Sequence, residues 1–304
     1  MRGRGEEEKK SEFRETRIAL YWVFFLVCFV CFVGNSEAQD LESLRSGIAS
    51  NNIEIKRNAL FQIRNLHNEA ASSLAIPALN DRHEIVRATA ANAVIFLPKA
   101  EAARLLTPLL NDRAEFVRGE TAFALGEVGD TSAIAVLIRT LEKDKSRSVQ
   151  AAAAAALGKI GDISAVGPLS SIFHAKPNEA NEFLRRSSAR AIGLIAEVVQ
   201  MNKRSTTTPE NFLPDKYKHG FSQSARATSV PINRLPAFQN ANVILAKVLQ
   251  NINEADDTRR EAAFALGAIG DASSVPLLRS NLHSPDNYLA EICKEALLKI
   301  EHKQ

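Results

Sequence analysis

Apolar residues recur along most of the chain as two alternating stripes. In residues 115–128, Val117, Thr121, Ala122, Leu125 and Val128 fall on one helical face. A second stripe follows at i, i+3, i+4 and i+7: Ile134, Leu137, Ile138 and Leu141. Between the two stand Gly129 and Asp130. Glycine accepts the positive φ that ends a helix, and aspartate caps the helix that comes next. Gly126, inside the first stripe, has no side chain and lets a neighbouring helix come close. The pattern predicts a unit of two antiparallel helices joined by a tight turn. One such pair cannot bury its own stripe, so units must stack.

The unit repeats. Val117-Arg118 leads to Leu125-Gly126 and then Val128-Gly129-Asp130; Val149-Gln150 leads to Leu157-Gly158 and Ile160-Gly161-Asp162; Arg259-Arg260 leads to Leu266-Gly267 and Ile269-Gly270-Asp271. Aligned on one register position, the second helices place Arg57, Arg87, Arg118, Gln150, Arg185, Arg259 and Ala290 in a row, at spacings of 30, 31, 32, 35, 74 and 31 residues. A fixed period of this kind is the signature of a solenoid. Seven helix pairs are predicted, from about residue 41 to about 301. The first and last match the pattern poorly, as capping units do. Asp81, Asp112 and Asp144 each stand six residues before a register position.

These motifs resemble the HEAT-like repeats of the phycobilisome-lyase type, over residues 41–304 and most closely at 82–163 and 256–283. The resemblance implies an all-α, right-handed superhelical solenoid in which aspartates and arginines of neighbouring turns pair as a ladder. It does not fix an activity, because bilin lyases, deoxyhypusine hydroxylase and binding scaffolds share such repeats. Deoxyhypusine hydroxylase holds a di-iron centre through several His-Glu pairs, and here His83-Glu84 alone has that form. His67, His174, His219, His283 and His302 have no matching Glu. Two irons need several carboxylates and imidazoles converging, so that activity is rejected. No metal and no cofactor are implied.

Charge and composition change the picture mainly at the N-terminus. The formal net charge of +3 is too small to argue for nucleic acid. Arg2, Arg4, Lys9, Lys10, Arg14 and Arg17 precede an uncharged apolar run at 18–33, and Ser36-Glu37-Ala38 follows. That layout reads as a secretory signal peptide cut after Ala38, the alternative being an uncleaved signal anchor. Export to the periplasm, to the outside, or to the outer side of a membrane is expected. The mature chain would keep one cysteine, Cys293, and no tryptophan. No CxxC pair, P-loop, G-x-S-x-G or H-E-x-x-H is present in it.

The 74-residue interval holds an insertion at 201–235 with Pro209, Pro214, Pro231 and six basic residues against two acidic ones. It reads either as a tolerated surface loop or as a basic binding loop with Phe212, Tyr217 and Phe221 as anchors. On the second helices, positions one, five and nine after the register share a face. Phe96, Phe123, Arg186, Arg190, Arg260 and Phe264 occupy such positions or adjoin them, and form a candidate partner-binding strip. The competing reading makes each Phe part of the core between repeats. The functional expectation is an exported, non-catalytic scaffold that binds a protein partner on its concave face. The alternative is a lyase-type enzyme or a cofactor-handling protein of the bilin-lyase kind. The balance falls against an enzyme. The membrane is a partner only if the N-terminal segment is retained.

Cleavage after Ala38 sets the mature N-terminus at Gln39. Intact-mass measurement of the native protein is expected to lack residues 1–38; a mass that includes them points to the anchor.

Overall fold

The computed structural model describes residues 41–204 and 231–301, and every regular element among them is helical. The α-helices are α1 (41–49), α2 (Ile53–Leu66), α3 (Glu69–Leu74), α4 (Glu84–Ala93), α5 (Lys99–Leu106), α6 (Glu115–Val128) and α7 (Ile134–Lys143). They continue as α8 (Arg147–Ile160), α9 (Val166–Ser171), α10 (Glu179–Arg204), α11 (Pro236–Gln250), α12 (Asp256–Ile269), α13 (Val275–Ser280) and α14 (Asn287–Glu301). Short 3-10 turns extend several first helices. The pairs are α1/α2, α3/α4, α5/α6, α7/α8, α9/α10, α11/α12 and α13/α14, so seven units stack among the described residues. The insertion and its aromatic anchors Phe212, Tyr217 and Phe221 lie outside them, as does the N-terminal segment 1–38. None of the described helices is long and apolar enough to cross a membrane.

Three units end their second helix as the sequence predicts. Gly129, Gly161 and Gly270 take φ of 67°, 79° and 77°. Asp130, Asp162 and Asp271 then accept the N–H of Ser132, Ser164 and Ser273, each at 2.8 Å. The chain reverses within two residues, which sets the first helix of the next unit antiparallel to the second helix before it.

The even-numbered helices form one layer and the odd-numbered ones the other. Even helices lie along one another from α2 to α14, whereas odd helices touch each other sparsely. Small residues explain the difference. A Cβ added to Gly126 would stand 2.7 Å from Ala156 Cα; at Gly158 it would stand 2.8 Å from Ala191 Cα, and at Gly267 2.6 Å from Ala296 Cα. Real Cβ atoms do not come so close, so glycine is required for the helices to meet at backbone distance. The second helices therefore form the more closely packed layer. Leu125, Leu157, Ile192 and Leu266, beside these contacts, are fully buried between the layers.

A charged clamp joins successive repeats (the expected ladder). Arg118 directs Nε and Nη2 to both oxygens of Asp144 at 2.7 and 2.9 Å, while Nη1 donates to the Asp112 carbonyl at 3.0 Å. Arg87 holds Asp112 in the same way, at 2.7 and 2.8 Å, and the Asp81 carbonyl at 2.8 Å. Each aspartate also accepts a backbone N–H two residues on, from Ala114 or Ser146, at 2.8 Å. One carboxylate therefore caps its own turn and receives the previous repeat's guanidinium.

The clamp departs from the register in three places. Lys56, not Arg57, reaches Asp81; Arg57 pairs with Glu54 of its own helix. Arg260, not Arg259, binds Asp286 at 2.8 and 2.9 Å, while Arg259 donates to the Leu249 carbonyl at 3.1 Å. Gln150 keeps the bond to the Asp144 carbonyl at 2.8 Å but has no guanidinium to offer the next repeat. Beyond it Arg185 resumes the series by pairing with Glu254, both buried.

Asp112 sits below the ordinary carboxylate range, first because the Arg87 fork stabilises its anion, against the effect of burial, with the Ala114 N–H adding to the fork. A carboxyl whose pKa is depressed on folding adds stability that is complete above its unfolded value and disappears as pH falls through its folded value. Arg87→Ala strands a nearly buried aspartate, at a cost of about 3 kcal/mol at neutral pH. Urea unfolding followed by circular dichroism is expected to show that loss at pH 7. It should also show a weaker fall in stability below about pH 4 than in the parent.

Candidate protein-binding face

The outward face of the second helices is where the anticipated strip lies, and its members divide into two kinds. Phe123 is 37% exposed, with Lys159 Nζ 4.3 Å from its ring centroid. Phe264 is half-buried against α10, below Lys299 Nζ at 5.0 Å and the Arg190 guanidinium at 6.0 Å. Phe96 is half-buried and meets the His67 ring edge-on, with centroids 4.8 Å apart. The three arginines bridge repeats. Arg186 pairs with Asp257 at 2.9 Å and Arg190 with Glu261 at 3.0 Å; Arg260 takes both Asp286 and Asp257. The face thus presents Phe123 and Phe264 under cations whose charge is already matched by a carboxylate of another second helix.

A second row stands beside this one, two residues before the register, in the first turn of the same helices. It consists of Ile55, Ile85, Phe116, Phe183 and Tyr288, which are 50%, 41%, 54%, 54% and 71% exposed. Ser148 and Asp257 interrupt it. Position −2 lies three residues before position +1, so both rows share one side of each helix. Side-chain contacts tie them together: the Arg186 guanidinium is 5.1 Å from the Phe183 ring and that of Arg260 5.2 Å from the Tyr288 ring. The sequence reading, which took positions one, five and nine after the register, passed over this row. The signal was in the same alignment, since five of its seven −2 positions are large and apolar. Single exposed apolar residues are ordinary, but a row of them at one repeat position marks an interaction surface.

The groups considered for chemistry lie elsewhere. His83 is the N-cap of α4 and its Nε2 accepts from Arg82 Nε at 3.1 Å, while Glu84 is exposed. Among the described residues no three His, Cys, Asp or Glu side chains are gathered as a metal site. Cys293 is buried, and burial pushes its thiol up to about 11, a state that does not favour the reactive thiolate.

Comparison with known proteins agrees with the stacked pairs. The family described as HEAT repeats matches residues 41–120 and 105–193, about half of the chain. This chain belongs to the HEAT-repeat family. A second family, the PBS lyase HEAT-like repeat, matches residues 258–284. A curated relative, deoxyhypusine hydroxylase-B of Oryza sativa subsp. japonica, is 36% identical over 64 residues, which span 21% of this chain and 21% of the relative. An engineered protein of known structure is 21% identical with a TM-score of 0.51, covering 86% of this chain and 68% of its own. The complex of CpcE and CpcF of phycocyanin lyase from Nostoc sp. PCC7120 is 22% identical with a TM-score of 0.46, over 87% and 88% of the two chains. The engineered protein is alike in fold.

The matches widen one expectation and correct another. The HEAT repeats are similar to both the lyase and the hydroxylase kinds, not to the lyase type alone. The expectation against an enzyme is overturned: the relative matched at 36% identity is, by name, a hydroxylase. The physical reason is that HEAT repeats are a support. Chemistry on such a support need not follow any local motif, so missing motifs do not argue against catalysis.

Proposed function

We propose that this HEAT-repeat chain serves an enzymatic activity directed at a protein, and that the face of its second helices holds that protein. The observation behind the reading is the row Ile55, Ile85, Phe116, Phe183 and Tyr288, exposed at one repeat position. Aromatic anchors of this kind dominate protein interfaces, often at more than ~2 kcal/mol each. Phe123 and Phe264, with Arg186, Arg190 and Arg260 beside them, extend the same face inward along each helix. Neighbouring second helices pack about 8–10 Å apart, close to the ~10.5 Å rise of seven helical residues. A helix of the held protein with an apolar residue every seventh position fits the row. The match to a hydroxylase supports the enzymatic setting, and the family's lyase-type members make a cofactor-handling role the natural form of it.

Photo-crosslinking in the native host tests both parts. A benzophenone side chain at position 116 or 183 is expected to trap a protein, and one at position 243, exposed on the outer layer, is not. Equal trapping from position 243, or none from 116 and 183, overturns the binding face. The trapped protein should differ in mass between cells with and without this chain; identical masses overturn the enzymatic part.

A further inference from the structure

A groove of about 450 Å³ opens between the third and fourth repeats, on the outer layer. Its rim carries Arg113, Arg139, Lys143 and Lys145, all exposed. Val136, Arg139, Thr140 and Lys143 stand at i, i+3, i+4 and i+7 of α7, so the helix aims one stripe into the groove. Arg113 and Lys145 enter from the two turns on either side. The acids in the wall, Asp112 and Asp144, are already held by Arg87 and Arg118. None of the four rim cations forms an ion pair with a carboxylate among the described residues. Four like charges around one opening repel one another, and a like-charged pair at i, i+4 weakens its helix. Arg113 and Lys145 favour the anions of Asp112 and Asp144 only through space, without an ion-pair contact.

The repeat supplies its own comparison. The equivalent groove between the first and second repeats, about 560 Å³, is lined by Ile48, Leu74 and Pro77, and its two cations are both paired, Arg45 with Glu42 and Lys56 with Asp81. The cluster at the third and fourth repeats is therefore not a by-product of how these units stack. We propose that this groove binds an oxyanion of the phosphate class. A phosphate offers three strong acceptor oxygens and up to two charges, enough to meet a guanidinium fork and lysines together. A lone carboxylate satisfies fewer of these donors.

Calorimetric titration of the full chain at low salt tests the proposal with three probes. These are inorganic phosphate, a phosphoserine peptide, and the same peptide with glutamate at that position. Phosphate and the phosphopeptide are expected to bind, and the glutamate peptide to bind roughly tenfold more weakly or not at all. A phosphopeptide tighter than phosphate assigns the site to a modified protein; equal affinity assigns it to the free anion. The exposed pair Arg139→Gln with Lys143→Gln should weaken binding roughly tenfold at unchanged melting temperature, and Arg45→Gln should leave it intact. Absence of phosphate and phosphopeptide binding overturns the site, as does equal binding of the glutamate peptide. An equal loss in Arg45→Gln shows a diffuse surface charge and overturns it too.

Discussion

A helix pair carries an apolar stripe that only another pair can cover, and the whole molecule follows from how closely that cover can be drawn. Gly126 against Ala156, Gly158 against Ala191 and Gly267 against Ala296 let second helices meet at backbone distance. First helices, mostly shorter, touch one another sparsely. The alignment of second-helix faces results from these contacts. Arginine then fixes the angle of each joint. Because Asp112 and Asp144 both cap a turn and receive a guanidinium, a repeat cannot rotate against its neighbour without breaking bonds on both sides. At the joint after Gln150 the guanidinium is missing, and the Gly158–Ala191 contact holds α8 to α10 there without it.

This division of labour decides what the surface is free to do. Arg186, Arg190 and Arg260 lie on the candidate face, yet each also ties one repeat to the next. Their charge is largely matched, so the face is less basic than the count of arginines suggests. What it offers a partner is shape and apolar area: Phe116, Phe183 and Tyr288, with Phe123 deeper along α6. Arg113, Arg139, Lys143 and Lys145, exposed and without an ion pair among the described residues, lie on the other side of the solenoid, around α7.

The periodic part of this structure was legible from the chain alone. The Leu-Gly and Gly-Asp frames located second helices and turns, since a close helix contact and a positive φ both demand glycine. The aspartate six residues before the register foretold the clamp at Arg87 and Arg118. It failed at Lys56 and Arg260, where the neighbouring residue in the helix does the work: adjacent positions differ by a rotation that a long side chain can make up. The apolar row at Ile55, Ile85, Phe116, Phe183 and Tyr288 was missed for another reason. In a helical pattern a large apolar residue reads as core, and only burial separates Phe116 from Val117 beside it. The basic groove was invisible because Arg113 and Arg139 come from different repeats.

That adjacent pair is also the sharpest test. Val117 is fully buried and Phe116 is more than half exposed, one residue apart on α6. If the stack is built from buried stripe and clamp, with the outer row left for a partner, the two must respond differently to the same substitution. Chemical unfolding of the full chain should show Val117→Ser destabilised by about 2–4 kcal/mol, from the lost methyls and the buried hydroxyl. Phe116→Ser should stay within about 0.5 kcal/mol of the parent. A loss in Phe116→Ser as large as that in Val117→Ser would mean that the row belongs to the core, and would contradict the account.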